Sequence, residues 1–205
     1  LTGRVRAGSR VRVGIAALDY PFPAPSGIVD YSLRPSGDKF VASLALLRQN
    51  YGGENFEIDI SGPIIPGRLS LAGGITRNHD QFVDGAHFTN YAAGFIPRLR
   101  FEGGEVLLIA SHIAQRDLTS RIVVSAAGAF VPDTPKPRVY LGQDWAKAVQ
   151  DNTNFGVIAK GQIGGGWSYR TGAFSSQVFK RKSYSEIFSV ADAQGNARHS
   201  IVADP

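Results

Sequence analysis

The chain of 205 residues contains no cysteine and no methionine. The first absence removes disulfide frameworks, thiolate metal sites and cysteine nucleophiles together. The second, with a start at Leu1, reads as a processed or partial chain. No run of roughly 18 apolar residues occurs, which excludes a transmembrane helix but not membrane-spanning strands, each needing only about 9 to 11 alternating residues. The opening LTGRVRAGSRVRVG never reaches the apolar stretch of a signal peptide. Charge of one sign is weak too. The net charge is +5, and the 22 Lys and Arg are scattered among apolar residues instead of clustered, which argues against a nucleic-acid partner. The run Lys180-Arg181-Lys182 reads as a solvated strand end.

Catalytic constellations are missing as well. His79, His87, His112 and His199 have no metal-ligand spacing. Gly73-Gly74 and Gly164-Gly165-Gly166 are followed neither by Lys-Ser/Thr nor by a helix start, so they are not phosphate loops. Ser125, Ser175 and Ser176 lack a nucleophile elbow. The expectation is a protein that is not an enzyme, with no metal site and no cofactor.

What is present is glycine, aromatic content and period two. The 24 glycines and 10% aromatics suit β-structure with many turns. In Phe56-Glu57-Ile58-Asp59-Ile60-Ser61 apolar and polar residues alternate without exception, so an apolar face of Phe56, Ile58 and Ile60 backs a polar one. The same pattern recurs over 69–76, 91–101 and 155–162, and less cleanly over 40–48 and 106–115. Only Asp144 to Val149 suits a helical turn. Short turns at 63–67, 102–104 and 164–166 alternate with long connections at 77–87 and 117–152, the second of which includes an apolar stretch, 122–131, able to hold a strand. Up-and-down outer-membrane barrels have this asymmetry of short turns at one end and long loops at the other. Trp167, Tyr169 and Phe101 stand beside the short turns, as an interfacial aromatic girdle would. The fold class predicted is all-β, an antiparallel transmembrane β-barrel of which about seven strands are countable. That is too few to close, since plugged barrels have about 22.

Two stretches carry a family resemblance. Asp59-Ile60-Ser61-Gly62-Pro63-Ile64 with Gly67-Arg68-Leu69 resembles the segment joining early barrel strands in TonB-dependent outer-membrane receptors. Ala24 to Pro35, through Gly27-Ile28-Val29-Asp30-Tyr31, looks like the last strand of that family's plug. The energy-coupling box and the N-terminal half of the plug have no counterpart in the sequence. The resemblance implies residues 1–36 as the end of a plug and residues 37–205 as the first barrel strands. It further implies a bacterial outer-membrane location, a ferric siderophore or similar scarce nutrient as cargo, outer-membrane lipid around the wall, and the TonB-ExbB-ExbD complex as energy-coupling partner.

Candidate ligand contacts follow from composition. The Tyr20-Pro21-Phe22-Pro23-Ala24-Pro25 loop is stiffened by three prolines and offers Tyr20 and Phe22 as flat apolar surfaces. Arg98 and Arg100, with Arg10 and Arg12, are candidate lumen cations for an anionic chelate, or partners for wall carboxylates such as Glu57 and Asp59. Two further readings are an adhesive or structural outer-membrane barrel without import, and a soluble β-sandwich binding module.

Overall fold

The computed structural model describes residues 2–13, 27–131, 133 and 136–203. The strands in chain order are β1 (Arg6–Arg12), β2 (Ile28–Leu33), β3 (Val41–Arg48), β4 (Glu54–Ile65), β5 (Leu69–Gln81), β6 (His87–Phe101), β7 (Gly104–Thr119), β8 (Arg121–Ala126), β9 (Lys147–Ile163), β10 (Trp167–Lys182), β11 (Tyr184–Ala191) and β12 (Arg198–Ala203). Seven of them form one antiparallel sheet in the order β10-β9-β7-β6-β5-β4-β3. Among the described residues its edges β3 and β10 have no further neighbour, so the sheet is open and not a closed barrel. A two-stranded unit, β1 with β2, and a three-stranded sheet, β12-β11-β8, account for the remaining strands among the described residues.

Alternation decides which face of the large sheet is covered. Residues directly opposite in neighbouring strands share a face. One such row runs Ser43, Asp59, Gly74, Gly94, Ser111, Asn154 and Ser176 across all seven strands. This inner face receives the N-terminal segment. Val5 packs with Ile96 and Leu107, flanked by Leu33 and Ile158, and both Val5 and Ile96 are essentially inaccessible to solvent. Gly94 permits the approach, because a Cβ there would stand 2.6 Å from Thr2 Oγ1 and 2.9 Å from Val5 Cγ1. Arg4 clamps the segment down by reaching Glu57 at 3.0 Å and Asp59 at 2.6 Å, while Arg34 reaches Asp59 at 2.5 Å. Charge-assisted bonds of this kind are stronger than neutral ones when half-buried.

Among the described residues the opposite, outer face has no protein over it. Leu44, Leu46, Ile75, Leu99, Leu108, Phe155 and Trp167 are all exposed there, Leu46 by 71% and Trp167 by 76%. Three close aromatic-over-glycine contacts fill its gaps, and a fourth lies on the inner face. On the outer side Phe101, Gly104, Gly161 and Tyr169 form a single row over β6, β7, β9 and β10. A Cβ at Gly104 would meet the Phe101 ring at 2.9 Å and one at Gly161 the Tyr169 ring at 2.8 Å. Phe95 covers Gly73 in the same way, and Phe174 covers Gly156 on the inner face. A ring laid over a strand glycine restores the packing that the missing side chain forfeits.

Connections follow the expected asymmetry, with several boundaries displaced. At one end lie residues 66–68, 102–103 and 164–166. At the other lie 49–53, 82–86 and 120–146. The connection expected over 77–87 is largely strand, since β5 runs to Gln81 and β6 starts at His87. Arg77, Asn78, His79 and Asp80 are polar on both faces, so the ladder continues where the amphipathic signal has ended. The turn expected from Pro63 is likewise strand as far as Ile65. The loop expected over 117–152 instead contains the end of β7, the whole of β8 and the start of β9. The helical turn expected over 144–149 is absent: Lys147 and Ala148 ladder with Thr119 and Leu118 of β7, and these cross-strand bonds override local propensity. The sequence pattern also missed β11 and β12. β11 pairs with β8 in parallel, which departs from the all-antiparallel expectation. Of the stretch read as a plug strand, 27–35 is described and contains β2, paired with β1.

Gly94→Val should lift the N-terminal segment from the wall and cost about 1 to 3 kcal/mol by overpacking. Faster trypsin cleavage after Arg4 and Arg6 than in the parent, with the far-UV β-signal unchanged, is the expected result.

Candidate functional site

Three zones can be distinguished on the inner wall by height. Nearest the short turns, Glu105 gathers cations: Lys160 Nζ lies 2.9 Å away, Arg100 Nε 3.5 Å and Arg98 Nη1 3.6 Å. Arg100 stands opposite Glu105, Glu105 opposite Lys160, and Lys160 opposite Arg170, so one row concentrates charge by register alone. An open cleft of about 680 Å³ adjoins it, lined by Arg100, Lys160, Arg170 and Tyr169. The structure therefore brings Arg98 and Arg100 together, as the sequence suggested, but on Glu105. Glu57 and Asp59 belong to Arg4 and Arg34 instead. The middle zone is that seat of the N-terminal segment. The upper zone, towards the long connections, is rich in side-chain amides. Tyr20 and Phe22 lie outside the described residues.

The long connections make a second, separate constellation around Glu186, whose side chain is fully buried. Ser120 Oγ donates to Glu186 Oε1, Tyr140 OH donates to it at 3.2 Å, and the Gln143 backbone N–H donates to it at 2.9 Å. His199 Nε2 lies 2.7 Å from Glu186 Oε2. An ionised carboxylate only accepts, so this nitrogen carries the proton. Gly142 is required beside the hub, since any Cβ would enter the Glu186 carboxylate and the Tyr140 ring. Ser120 comes from the β7–β8 junction, Tyr140 and Gln143 from the β8–β9 connection, Glu186 from β11 and His199 from β12. One carboxylate thus ties together segments that are far apart in sequence. The ring of His199 also stacks on Phe188 at 4.3 Å. An apolar cavity of about 650 Å³ lies beside it, lined by Val124, Phe130, Leu141, Phe188 and Ala191.

This hub was invisible to the sequence reading, because Glu186 and His199 become partners only through the β11–β12 hairpin. Ser120 and His199 both point at the carboxylate instead of at each other, so neither activates the other, and the arrangement ties segments together. Burial pushes the Glu186 carboxyl up, but the bonds from Ser120, the Gln143 amide, His199 and Tyr140 together outweigh it and hold the group below its ordinary value. Burial and the adjacent Glu186 charge raise the Tyr140 hydroxyl. No group of three or more His, Cys, Asp or Glu able to hold a metal occurs among the described residues.

A carboxyl with a depressed folded pKa adds stability above its ordinary range and loses it as pH falls through that range towards the lower folded value. The three-stranded sheet is therefore expected to open in acid. In a Trp167→Phe background, emission from Trp145, whose ring meets Tyr184 edge-on at 5.7 Å, should shift in that window. Glu186→Gln should abolish the acid step and destabilise the sheet at neutral pH by about 1 to 3 kcal/mol, because an amide nitrogen cannot accept from the surrounding donors. An acid step of unchanged midpoint in Glu186→Gln would assign the transition to another group.

No family model and no curated protein matches the chain. Among solved structures, the crystal structure of BauA, the ferric preacinetobactin receptor from Acinetobacter baumannii, superposes with a TM-score of 0.77 at 13% identity, covering 97% of this chain and 30% of that one. The chain spans under a third of that receptor's length, and over this span the two have the same fold.

Proposed function

We propose that this chain is the end of the plug, residues 1–36, and the first barrel strands, residues 37–205, of an outer-membrane receptor that binds a ferric siderophore and imports it with energy from the TonB-ExbB-ExbD complex. The fold likeness to a ferric-siderophore receptor over 97% of the chain carries the reading. Three features of the molecule support it. The uncovered outer face is apolar, which suits outer-membrane lipid. The inner face is polar and seats an N-terminal segment through Arg4 and Arg34. The long connections gather at the end where cargo would arrive. In this reading the protein is not an enzyme. Tyr20 and Phe22 contact cargo at the plug apex, and the Arg98, Arg100 and Lys160 cluster lies near the periplasmic exit.

Orientation is testable at adjacent residues. A nitroxide at position 58 should be more accessible to a lipid-soluble quencher than one at position 59, and the reverse order would invert the wall. Ile58→Arg should cost about 2 to 4 kcal/mol if the residue lies near the bilayer midplane. For function, the full-length receptor should bind a ferric siderophore at equilibrium, and Tyr20→Ala with Phe22→Ala should weaken binding by on the order of 1 to 3 kcal/mol without unfolding the barrel. Failure of every ferric chelate to bind would refute siderophore import.

A further inference from the structure

The upper inner wall carries a cross-strand row of amides above the seat of the N-terminal segment, joined to it, among the described residues, only where Asn55 meets Glu57. Asn55 stands opposite Asn78, Asn78 opposite Asn90, Asn90 opposite Gln115, and Gln115 opposite Gln150. Five adjacent strands, β4, β5, β6, β7 and β9, thus each present a carboxamide on one face at one height. Leu47 ends the row on β3 and Lys180 on β10. The whole chain has only 15 Asn and Gln among 205 residues, so composition does not account for five in succession. The row lies four residues along β6 from Gly94, where the N-terminal segment touches the wall. That is a rise of about 13 Å, towards the long connections.

The hydrogen bonds of these amides give the row a polarity. Asn55 Nδ2 donates to Glu57 Oε1 at 2.8 Å, and Asn78 Nδ2 donates to Asp80 Oδ2 at 2.6 Å. Carboxylates only accept, so both amides are held nitrogen-first and their carbonyl oxygens are left over. Asn55 Oδ1, Asn78 Oδ1 and Asn90 Oδ1 have no hydrogen-bond partner. These oxygens are tucked between neighbours, but the side chains are only partly buried and the terminal torsion of Asn is soft, so rotation about it, exchanging the bonds to Glu57 and Asp80 for bonds to a ligand, offers each oxygen to the lumen. A group that satisfies such acceptors must bring donors. Of the charged side chains flanking the row, Glu57 is paired with Arg4 and Lys180 closes the β10 end, while the Asp80 carboxylate on β5 stands beside the central amides and disfavours an anion there.

We propose that the row Asn55, Asn78, Asn90, Gln115 and Gln150 is a cargo-contact band that selects a neutral ligand rich in hydroxyl or amide N–H donors over a polyanionic one. The proposal rests on the receptor reading and narrows its substrate class. The test uses full-length receptor in detergent and two probes of similar size, a neutral ferric trihydroxamate and a triply anionic ferric tris-catecholate. The neutral probe should bind more tightly at equal ionic strength. Asn78→Leu with Asn90→Leu should lower its affinity about tenfold or more, as the loss of two hydrogen bonds predicts. Asn78→Ser with Asn90→Ser, which keeps hydroxyl acceptors, should lose less, and it replaces the leucine pair if that variant does not give the heat-modifiable band of a folded barrel. Preference for the anionic probe, or neutral-probe affinity unchanged by the variants, would overturn the band and leave the receptor reading intact. Binding of neither probe would instead count against the ferric-chelate reading beneath it.

Discussion

The molecule depends on one cross-strand register over seven strands, which holds from the cation row to the amide row and shifts only beyond them, at Pro63–Ile65, Gln115–Leu118 and Lys180–Lys182. In a pleated sheet a slip of one residue exchanges the faces. Every zone described above is a row in that register: the cation row at Glu105, the seat at Asp59 and Gly94, and the amides above them. With a single slip Glu57 and Asp59 would leave Arg4 and Arg34, and Ile58 would take their place beneath two guanidinium groups. The carboxylates fix the register from the inner side, and the apolar outer residues fix it from the other.

Glycine makes room where the rows must approach something. Gly94 admits Thr2 and Val5, and Gly142 admits the Glu186 carboxylate. Elsewhere the gap is filled by a neighbour, as Tyr169 fills that over Gly161 and Phe101 that over Gly104. The aromatics beside the short turns thus have a packing role within the wall. The girdle reading and the core-packing reading of these rings are both compatible with one geometry.

Two kinds of polar burial divide the structure. Along the wall the ion pairs are half-buried and shared, with Asp59 serving two arginines and Glu105 three cations, so no single pair carries the seat. At Glu186 the burial is complete and the carboxylate depends on neutral donors and one histidine. Such a hub is satisfied only when the segments supplying those donors are all in place, which makes it a cooperative tie for long connections that lack a core of their own.

Much of the wall was legible from alternation alone, because period two maps directly onto the faces of a strand. The apolar set Phe56, Ile58 and Ile60, the polar set Glu57 and Asp59, the turns at 102–104 and 164–166, and the six strands read within 40–162 needed no tertiary information. Strand ends were not legible, since beyond the apolar belt Arg77 to Asp80 and Gln150 to Asn154 are polar on both faces and resemble loop. What only the tertiary structure decided were the partners: Glu105 and not Glu57 for Arg98 and Arg100, Glu186 for His199, and the succession of amides across five strands. Each of these joins residues from different strands, and a sequence fixes which face a side chain takes while pairing and register fix what it meets there.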